Sequence, residues 1–161
     1  MPELPEVWNY LRLKCKVAES LKALLPAIVF LVAVGMSFAT GTSWGTFGIL
    51  IPIISEIAGL GPELLIISIS ACLAGAVCGD HCSPISDTTI MSSTGAMCNH
   101  INHVTTQLPY AFTVAGVSFV GYILAGFVHS VWVVLPVSLL LLFITLYVIK
   151  LITSSKTNVT T

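Results

Sequence analysis

The sequence predicts an all-α, polytopic membrane protein with discontinuous helices, either broken or re-entrant. Hydrophobic residues make up 56% of the 161 residues, charged residues make up only 8%, and the mean hydropathy is +1.00. Lys and Arg are absent between Lys22 and Lys150, so the uncharged runs are long enough for several spans of about 20 residues. A cluster of acids and hydroxyls at 80–89 interrupts this apolar sequence and predicts a helix break.

The charge and cysteine content restrict the partners and the class of protein. The formal net charge is −1 and there is no basic patch, so we expect the lipid bilayer as a partner and no nucleic acid. The five cysteines are an odd number and most lie in or near apolar runs, which argues against a disulfide framework. We expect a protein that is not an enzyme.

The chain divides into three parts. Residues 1–22 form a polar segment in which Trp8 and Tyr10 precede the basic residues, a composition typical of the cytoplasmic membrane surface. Residues 23–150 form the transmembrane domain, and 151–161 form a polar tail for which we expect no regular structure. A signal peptide cleaved near Ala39 is disfavoured because more spans follow. We therefore expect a multi-pass protein of the cell (inner or plasma) membrane.

The first apolar run, 23–58, contains a break at 39–45. Gly41 suits the position after a helix, and Ser43 suits the N-cap of a second helix that begins at Trp44 or Gly45 and ends near Ile57. Three interpretations stay open: a re-entrant hairpin with its tip at 41–45, one long discontinuous helix, or an ordinary loop between two short helices. Irregular backbone at membrane depth needs protein or water to cover it.

The second break follows a helix predicted over 64–78. Gly79 is expected to stop that helix, and Ser83 with Pro84 forms a suitable N-cap and first position for a half-helix at about 84–97. Asp87 would then lie in the first turn, where the positive end of the helix dipole favours a carboxylate. Residues 99–109 are predicted to be a polar connection, followed by two plain spans at 110–127 and 131–149.

The two breaks supply the ligands that a hard monovalent cation needs. Broken helices that face one another near mid-membrane are typical of ion sites in secondary transporters. We predict that sodium binds at Asp80 and Asp87, because a partly buried carboxylate takes either a sodium ion or a proton. His81 lies between them in sequence and could tune that competition. Hydroxyls complete the predicted ion and proton site: Ser83, Ser86 and Thr88 from the second break, and Thr42 and Ser43 from the first.

Two other interpretations of the second break were weighed. Cys78, His81 and Cys82 could bind a transition metal, but the further soft ligands at 98–103 lie at the other end of the half-helix, about 20 Å away. We therefore expect no transition metal. Alternatively, the two aspartates only cap helix ends and keep the breaks rigid.

Three segments carry a resemblance to a known family. GDHCSPISDTT, the following CNHINHVTTQLPYA and the earlier ATGTSWGTFGILIPI together cover about 39–111, and they resemble the NhaC-type sodium/proton antiporters of the ion transporter superfamily. The resemblance implies an antiporter that moves sodium against protons, with Na+ and H+ as transported ions and no cofactor. Relatives exchange organic acids, for instance malate against lactate. Asn102 stands where the family pattern usually has an acid, so a role for that carboxylate is absent here.

The resemblance also implies an incomplete transporter. Members of the family are commonly much longer and are built from two related halves, whereas this chain resembles the C-terminal part only. We expect it to pair with the missing N-terminal half or to form a homo-oligomer. Besides sodium/proton exchange, two alternatives stay open, a sodium- or proton-coupled organic-acid antiporter and an inactive membrane fragment.

Overall fold

The computed structural model describes residues 4–57, 61–128 and 130–157. The described residues are helical apart from short connections, and no strand occurs among them. The helices are α1 (Leu4–Thr40), α2 (Ser43–Ser55), α3 (Pro62–Cys82), α4 (Asp87–Gly95), α5 (His100–Val128) and α6 (Val131–Thr157). The predicted all-α class is confirmed.

Four segments of these helices are long and apolar enough to cross a membrane. They are Lys22–Thr40, Pro62–Cys82, His100–Val128 and Trp132–Leu151, and the shorter apolar helix α2 has 13 residues. The chain is therefore a multi-pass membrane protein. The two spans predicted after residue 109 are confirmed as parts of α5 and α6. The division of the chain at residues 22 and 150 stays a prediction.

Helices α1 and α3 run parallel to one another, with α2 between them in the chain. Phe30 of α1 lies against Gly75 of α3, and one turn further along both helices Val34 lies against Gly79. Helix α5 runs the opposite way, since its residue Tyr122 stacks on Phe30 with ring centroids 5.4 Å apart and its Gly126 touches the earlier residue Ala23. The C-terminal ends of α1 and α3 therefore lie at the same end of the molecule.

Helices α1 and α2 form a helical hairpin that turns at Gly41 and Thr42. The N–H of Gly41 donates to the carbonyl of Ser37 over 2.8 Å, and the φ of Gly41 is +68°, which favours glycine. The apolar side of the hairpin packs on α3 through a core of Val29, Ala33, Leu50, Ile54, Cys72 and Ala76. Residues 23–57 thus contain a helical hairpin whose first arm keeps the length of a span, and its re-entrant placement in the membrane stays a prediction.

The interface of α1 with α3 depends on small residues. A Cβ atom on Gly75 would lie 2.5 Å from the carbonyl oxygen of Phe30, and one on Gly79 would clash with the carbonyl oxygen of Val34. The Ser37 hydroxyl donates to the Ala76 carbonyl over 2.6 Å at the same contact. Close backbone approach through small residues four apart is a common way for membrane helices to associate. Gly79 therefore sets the spacing of the two helices.

Several predicted boundaries are wrong at the two breaks. Helix α3 continues through Gly79 to Cys82, because the missing Cβ serves packing against α1 and does not end the helix. Gly45 likewise lies inside α2, whose N-cap is Thr42 in place of Ser43. The N-cap of α4 is Ser86 in place of Ser83, so Pro84 lies in the connection and is not the first helical residue.

Residues 100–109 of the polar segment 99–109 are helical, so the predicted connection there is wrong. The side-chain oxygen of Asn99 accepts from the N–H groups of Ile101 and Asn102 over 3.0 and 3.3 Å, and it caps the start of α5. Pro109 lies inside that helix. The expectation for the tail is also wrong where it is described, because α6 continues to Thr157; residues 158–161 lie outside the described range.

Candidate functional site

The two helix breaks meet in space. A Cβ atom on Gly41, in the first break, would lie 2.9 Å from Cγ1 and 3.0 Å from the carbonyl oxygen of Ile85, in the second. Two features therefore favour glycine at position 41: the positive φ and the close approach of Ile85. The hydroxyl of Ser43, the first residue of α2, reaches an oxygen of Asp80 over 3.4 Å. The predicted facing of the two breaks is present.

Asp80 is the centre of this arrangement. It lies in the last turn of α3 and is only 4% exposed. The Ser86 hydroxyl donates to its Oδ1 over 2.7 Å, while the hydroxyls of Ser43 and Thr88 reach its Oδ2 over 3.4 and 3.5 Å. These hydroxyls come from α2, from the connection 83–86 and from α4. The site thus forms only when both breaks are in place.

The connection 83–86 is shaped by its own hydrogen bonds. The N–H of Ser83 donates to the Asp80 carbonyl over 3.1 Å, and its hydroxyl accepts from the N–H of Ile85 over 3.4 Å. Ser86 caps α4 by accepting from the N–H of Thr88 over 3.3 Å, and the two hydroxyls lie 2.8 Å apart. Ser83 therefore holds the turn, whereas Ser86 joins the turn to the carboxylate.

The electrostatic surroundings of Asp80 contain no permanent positive charge from this domain. No Lys or Arg occurs at 23–149. Within the described part of the chain, the side chains that hydrogen-bond to its carboxylate are the three hydroxyls alone. A buried carboxylate is normally paired with a cation or made neutral by a proton. The Asp80 carboxylate can be paired with a cation only if an ion enters the site.

Besides Ser83, three of the predicted site residues make no hydrogen bond to this carboxylate. Asp87 is exposed at the first position of α4. Thr42 is also exposed, and its hydroxyl accepts from the N–H of Gly45 over 3.5 Å as the cap of α2. The Nδ1 of His81 faces the carbonyl of Val77 on its own helix, 2.9 Å away. His81 therefore does not lie between the two aspartates.

Sequence reasoning missed the part that α5 plays. The Nε2 of His100 lies 2.7 Å from the Pro84 carbonyl, and its Nδ1 lies 3.0 Å from the Ser93 hydroxyl. Gln107 donates from Nε2 to the His81 carbonyl over 3.1 Å. These bonds fasten α5 to the second break and to the end of α3. The signal was the polar composition of 99–109, which we interpreted as a loop.

The soft ligands weighed for a transition metal do not converge. Among the residues that the structure describes, no three His, Cys, Asp or Glu side chains come close enough together to hold a metal ion. Cys98 is exposed beyond the end of α4, and Cys82 is buried at the end of α3. The donor set around Asp80 consists of oxygen atoms, which suit hard cations.

A buried carboxylate between two helix breaks in a multi-pass bundle is typical of one class of protein, the secondary transporters. A comparison with families agrees, since the model of the Na+/H+ antiporter family matches residues 8–127. The chain belongs to the Na+/H+ antiporter family, as its motifs predicted. Antiporters are transport proteins and not a class of enzyme.

The chain is also similar to parts of three longer proteins. An uncharacterized protein of Haemophilus influenzae is 64% identical over 107 residues, which cover 66% of this chain and 21% of that protein. The malate-2H(+)/Na(+)-lactate antiporter of Bacillus subtilis is 35% identical over 96 residues, which cover 59% of this chain and 20% of that protein. An uncharacterized Na(+)/H(+) antiporter of H. influenzae is 35% identical over 111 residues, which cover 63% of this chain and 23% of that protein. The matched part spans about a fifth of each relative's length. No solved structure matches the chain.

Proposed function

We propose that this chain supplies the ion site of a secondary transporter that exchanges sodium for protons, and that Asp80 carries either ion. One observation carries the proposal. The Asp80 carboxylate is almost fully buried, is surrounded by hydroxyls, and lies in a domain without Lys or Arg at 23–149. The charge of the empty, ionised site is thus not balanced by a cationic side chain of residues 23–149.

The cost of burial explains why the two ions compete. An isolated carboxylate loses its hydration inside a protein, and a buried ion without a partner costs several kcal/mol even after relaxation. A proton on Asp80 removes the charge, whereas a sodium ion balances it. Both use the same oxygen atoms, so the binding of one excludes the other. Exchange follows if the site opens in turn to each side of the membrane only when one of the two is bound.

The hydroxyls around Asp80 suit both states of the site. A hydroxyl has one donor and two acceptor positions. When the carboxylate is ionised and no cation is present, Ser43, Ser86 and Thr88 donate to it. When sodium enters, each hydroxyl can rotate and turn a lone pair toward the ion. The two carboxylate oxygens and these three hydroxyls then give up to five oxygen ligands for sodium without a change of backbone.

In this proposal Asp87 and the rest of the transporter act around the Asp80 site and do not bind the ion directly. Asp87 is exposed at the start of α4, so it is suited to attract a cation toward the break rather than to hold it in a dry site. The remaining part of the transporter, an N-terminal half or a second copy, would close the site. Helix α6 is open to such a partner or to lipid, because no residue of its apolar segment Trp132–Leu151 is buried in the described structure.

Thiol labelling tests the proposal without a transport assay. In the intact transporter with its native cysteines replaced, we expect sodium to slow the reaction of Ser43→Cys with a membrane-impermeant thiol reagent. The reason is that the ion draws this position onto the Asp80 carboxylate. Trp44→Cys is the matched control, since Trp44 is the next residue and is 78% exposed. Its labelling rate should not change with sodium.

Adding Asp80→Asn makes this test specific. If Asp80 holds the sodium, the variant should remove the sodium effect at Ser43→Cys and leave the rate at Trp44→Cys unchanged. Sodium protection that persists with Asn at position 80 would assign the ion to other residues. Equal protection at both cysteines would indicate a general closure of the protein and would count against this site.

Organic-acid exchange is the second candidate, and the name of the B. subtilis relative is the observation that favours it. The absence of Lys and Arg at 23–149 counts against a clamp for a dianion. Uptake of labelled malate and lactate, measured with and without a sodium gradient, separates the candidates. Sodium-dependent uptake of either acid would favour the second candidate, and proton movement with sodium alone would favour the first.

A further inference from the structure

Helix α5 is longer than a bilayer requires, and its first two turns are polar. Its 29 residues rise about 43 Å, whereas the hydrocarbon core of a bilayer is about 30 Å thick. Residues 108–128 alone cover about 30 Å, and six of the eight residues at 100–107 are polar. The apolar part of α5 therefore begins near Leu108, and the polar part extends beyond it.

Asp80 lies level with the boundary between these two parts of α5. Gln107, the last residue of the polar part, donates to the carbonyl of His81 over 3.1 Å, and His81 directly follows Asp80 in the chain. Helix α4, in which six of nine residues are polar, packs beside the polar part, with the Ser93 hydroxyl 3.0 Å from Nδ1 of His100. Both polar elements thus continue past Asp80 on the side of the molecule at which α1 and α3 end.

A cavity of about 200 Å3 lies between these two polar elements and the end of α3. Its lining side chains are all polar: His81, Thr88, Thr89, Ser92, His103 and Gln107. Thr88 joins the cavity to the sodium site, because its hydroxyl also reaches Oδ2 of Asp80 over 3.5 Å. One water molecule needs only about 10–15 Å3 of such space together with a few polar partners, so the cavity has room for several.

The polar lining ends at His81 and Gln107. These two residues also line a second cavity, of about 680 Å3 between α1, α3 and α5, whose other side chains are mainly apolar. Phe30, Leu73 and Val77 are among them. A hydrated ion that entered the second cavity would exchange polar partners for apolar ones, which is unfavourable. The polar groups therefore lead from the open end of α4 and α5 to Asp80 and no further along α5.

We propose that the cavity between α3, α4 and α5 is the aqueous route by which a hydrated monovalent cation reaches Asp80 from the side at which α1 and α3 end. Thr88 is the last group on this route before the carboxylate. The proposal rests on the proposed function, because it needs Asp80 to bind the ion. Hydroxyl and amide oxygens replace the water molecules of the ion a few at a time. No lining side chain carries a permanent charge, so the route passes the cation without holding it tightly.

Thiol modification of Ser92→Cys tests the side and the role of this route. The variant is made in the intact transporter with its native cysteines replaced and is studied in membrane vesicles. Ser92 lines the cavity and is exposed, so a membrane-impermeant reagent should reach it. We expect the reaction from one side of the membrane only, the side opposite to that from which Glu63→Cys reacts, since Glu63 is exposed at the other end of α3.

A bulky uncharged thiol reagent on Ser92→Cys should then block the route. We expect exchange of labelled sodium against unlabelled sodium across the vesicle membrane to fall at least about tenfold, because the barrier for entry and exit rises. The equilibrium affinity for sodium should not change, because the bound state is untouched. A methylthio group on the same cysteine is small and should leave most of the exchange. Met91→Cys is the matched control, since Met91 is the preceding residue, is 73% exposed and does not line the cavity; its modification should have no effect.

The outcomes separate this proposal from the proposed function. Reaction of Ser92→Cys from the Glu63 side, or undiminished exchange after bulky modification, would overturn the route. A weaker sodium affinity after modification would make Ser92 part of the binding site, and an equal fall with the methylthio group or at Met91→Cys would indicate disturbed packing; either result also overturns the route. Unchanged sodium affinity in Asp80→Asn would contradict the sodium site itself. Loss of that affinity together with undiminished exchange in modified Ser92→Cys would overturn the route alone.

Discussion

Asp80→Asn is expected to abolish sodium-driven proton movement in everted vesicles that carry the intact transporter, lowering the rate by at least about 100-fold. The amide is close to the carboxylate in size, so the hydroxyls of Ser43, Ser86 and Thr88 keep a partner. The amide of asparagine neither takes up a proton as a carboxylate does nor balances the charge of sodium. The fold should therefore survive while exchange stops.

Two other carboxylates serve as comparisons for that variant. Glu63→Gln changes an exposed residue in the first turn of α3, at the end of the helix opposite Asp80, and should leave the rate unchanged. Asp87→Asn removes an exposed carboxylate near the site and should weaken sodium affinity without stopping exchange. Normal exchange in Asp80→Asn, or complete loss in Asp87→Asn alone, would contradict the roles assigned to the two residues.

Gly79→Ala is expected to destabilise the bundle by at least about 1–3 kcal/mol, the usual cost of overpacking a close contact. The added methyl group would clash with the carbonyl oxygen of Val34 and would lie 3.0 Å from Cβ of Ser37. Backbone atoms cannot rotate away as a flexible side chain does, so α1 and α3 must separate. The change should appear as a lower melting temperature of the purified protein.

Gly35→Ala is the control for that variant. Gly35 lies on the same helix pair, but nothing lies within 4 Å of the position that its Cβ would occupy. Alanine in a helix interior is favoured over glycine by about 1 kcal/mol, so Gly35→Ala should be neutral or slightly stabilising. Equal melting temperatures for the two variants would show that close packing at Gly79 does not hold α1 against α3.

Much of the fold could be predicted because the bilayer restricts the possibilities. Apolar runs near 20 residues without charge predict spans, and α1, α3, α5 and α6 contain them. Gly41 was predicted correctly to follow a helix, because a turn that needs positive φ selects glycine. These inferences depend only on local composition and length.

The helix ends could not be predicted where tertiary contacts decide them. Gly79 taken alone predicts the end of a helix, but in the structure it lies inside α3 and allows the backbone of Val34 in α1 to pack closely against it. Residues 99–109 are polar and resemble a loop, yet Asn99 caps them into α5 and their side chains fasten that helix to the second break. A polar helix end inside a bundle and a surface loop share one composition.

The candidate site could be predicted only in part, because tertiary contacts also decide where the helices that carry its side chains begin. The hydroxyls of Ser43, Ser86 and Thr88 converge on the Asp80 carboxylate, as we predicted from two facing breaks. Asp87 and Thr42 lie in the same breaks but are exposed. Which side of a break a residue faces depends on where each helix begins, and a shift of the N-cap from Ser83 to Ser86 rotates every later residue of α4.

Proton release on sodium binding is the most direct measurement of the central claim, that one carboxylate holds either ion. Sodium is added to the purified intact transporter in weakly buffered solution at a pH where the site is protonated, and released protons are counted with a pH dye. We expect release that saturates with sodium in the wild type and in Glu63→Gln, and none in Asp80→Asn. Sodium binding without proton release, or equal release in Asp80→Asn, would contradict the claim.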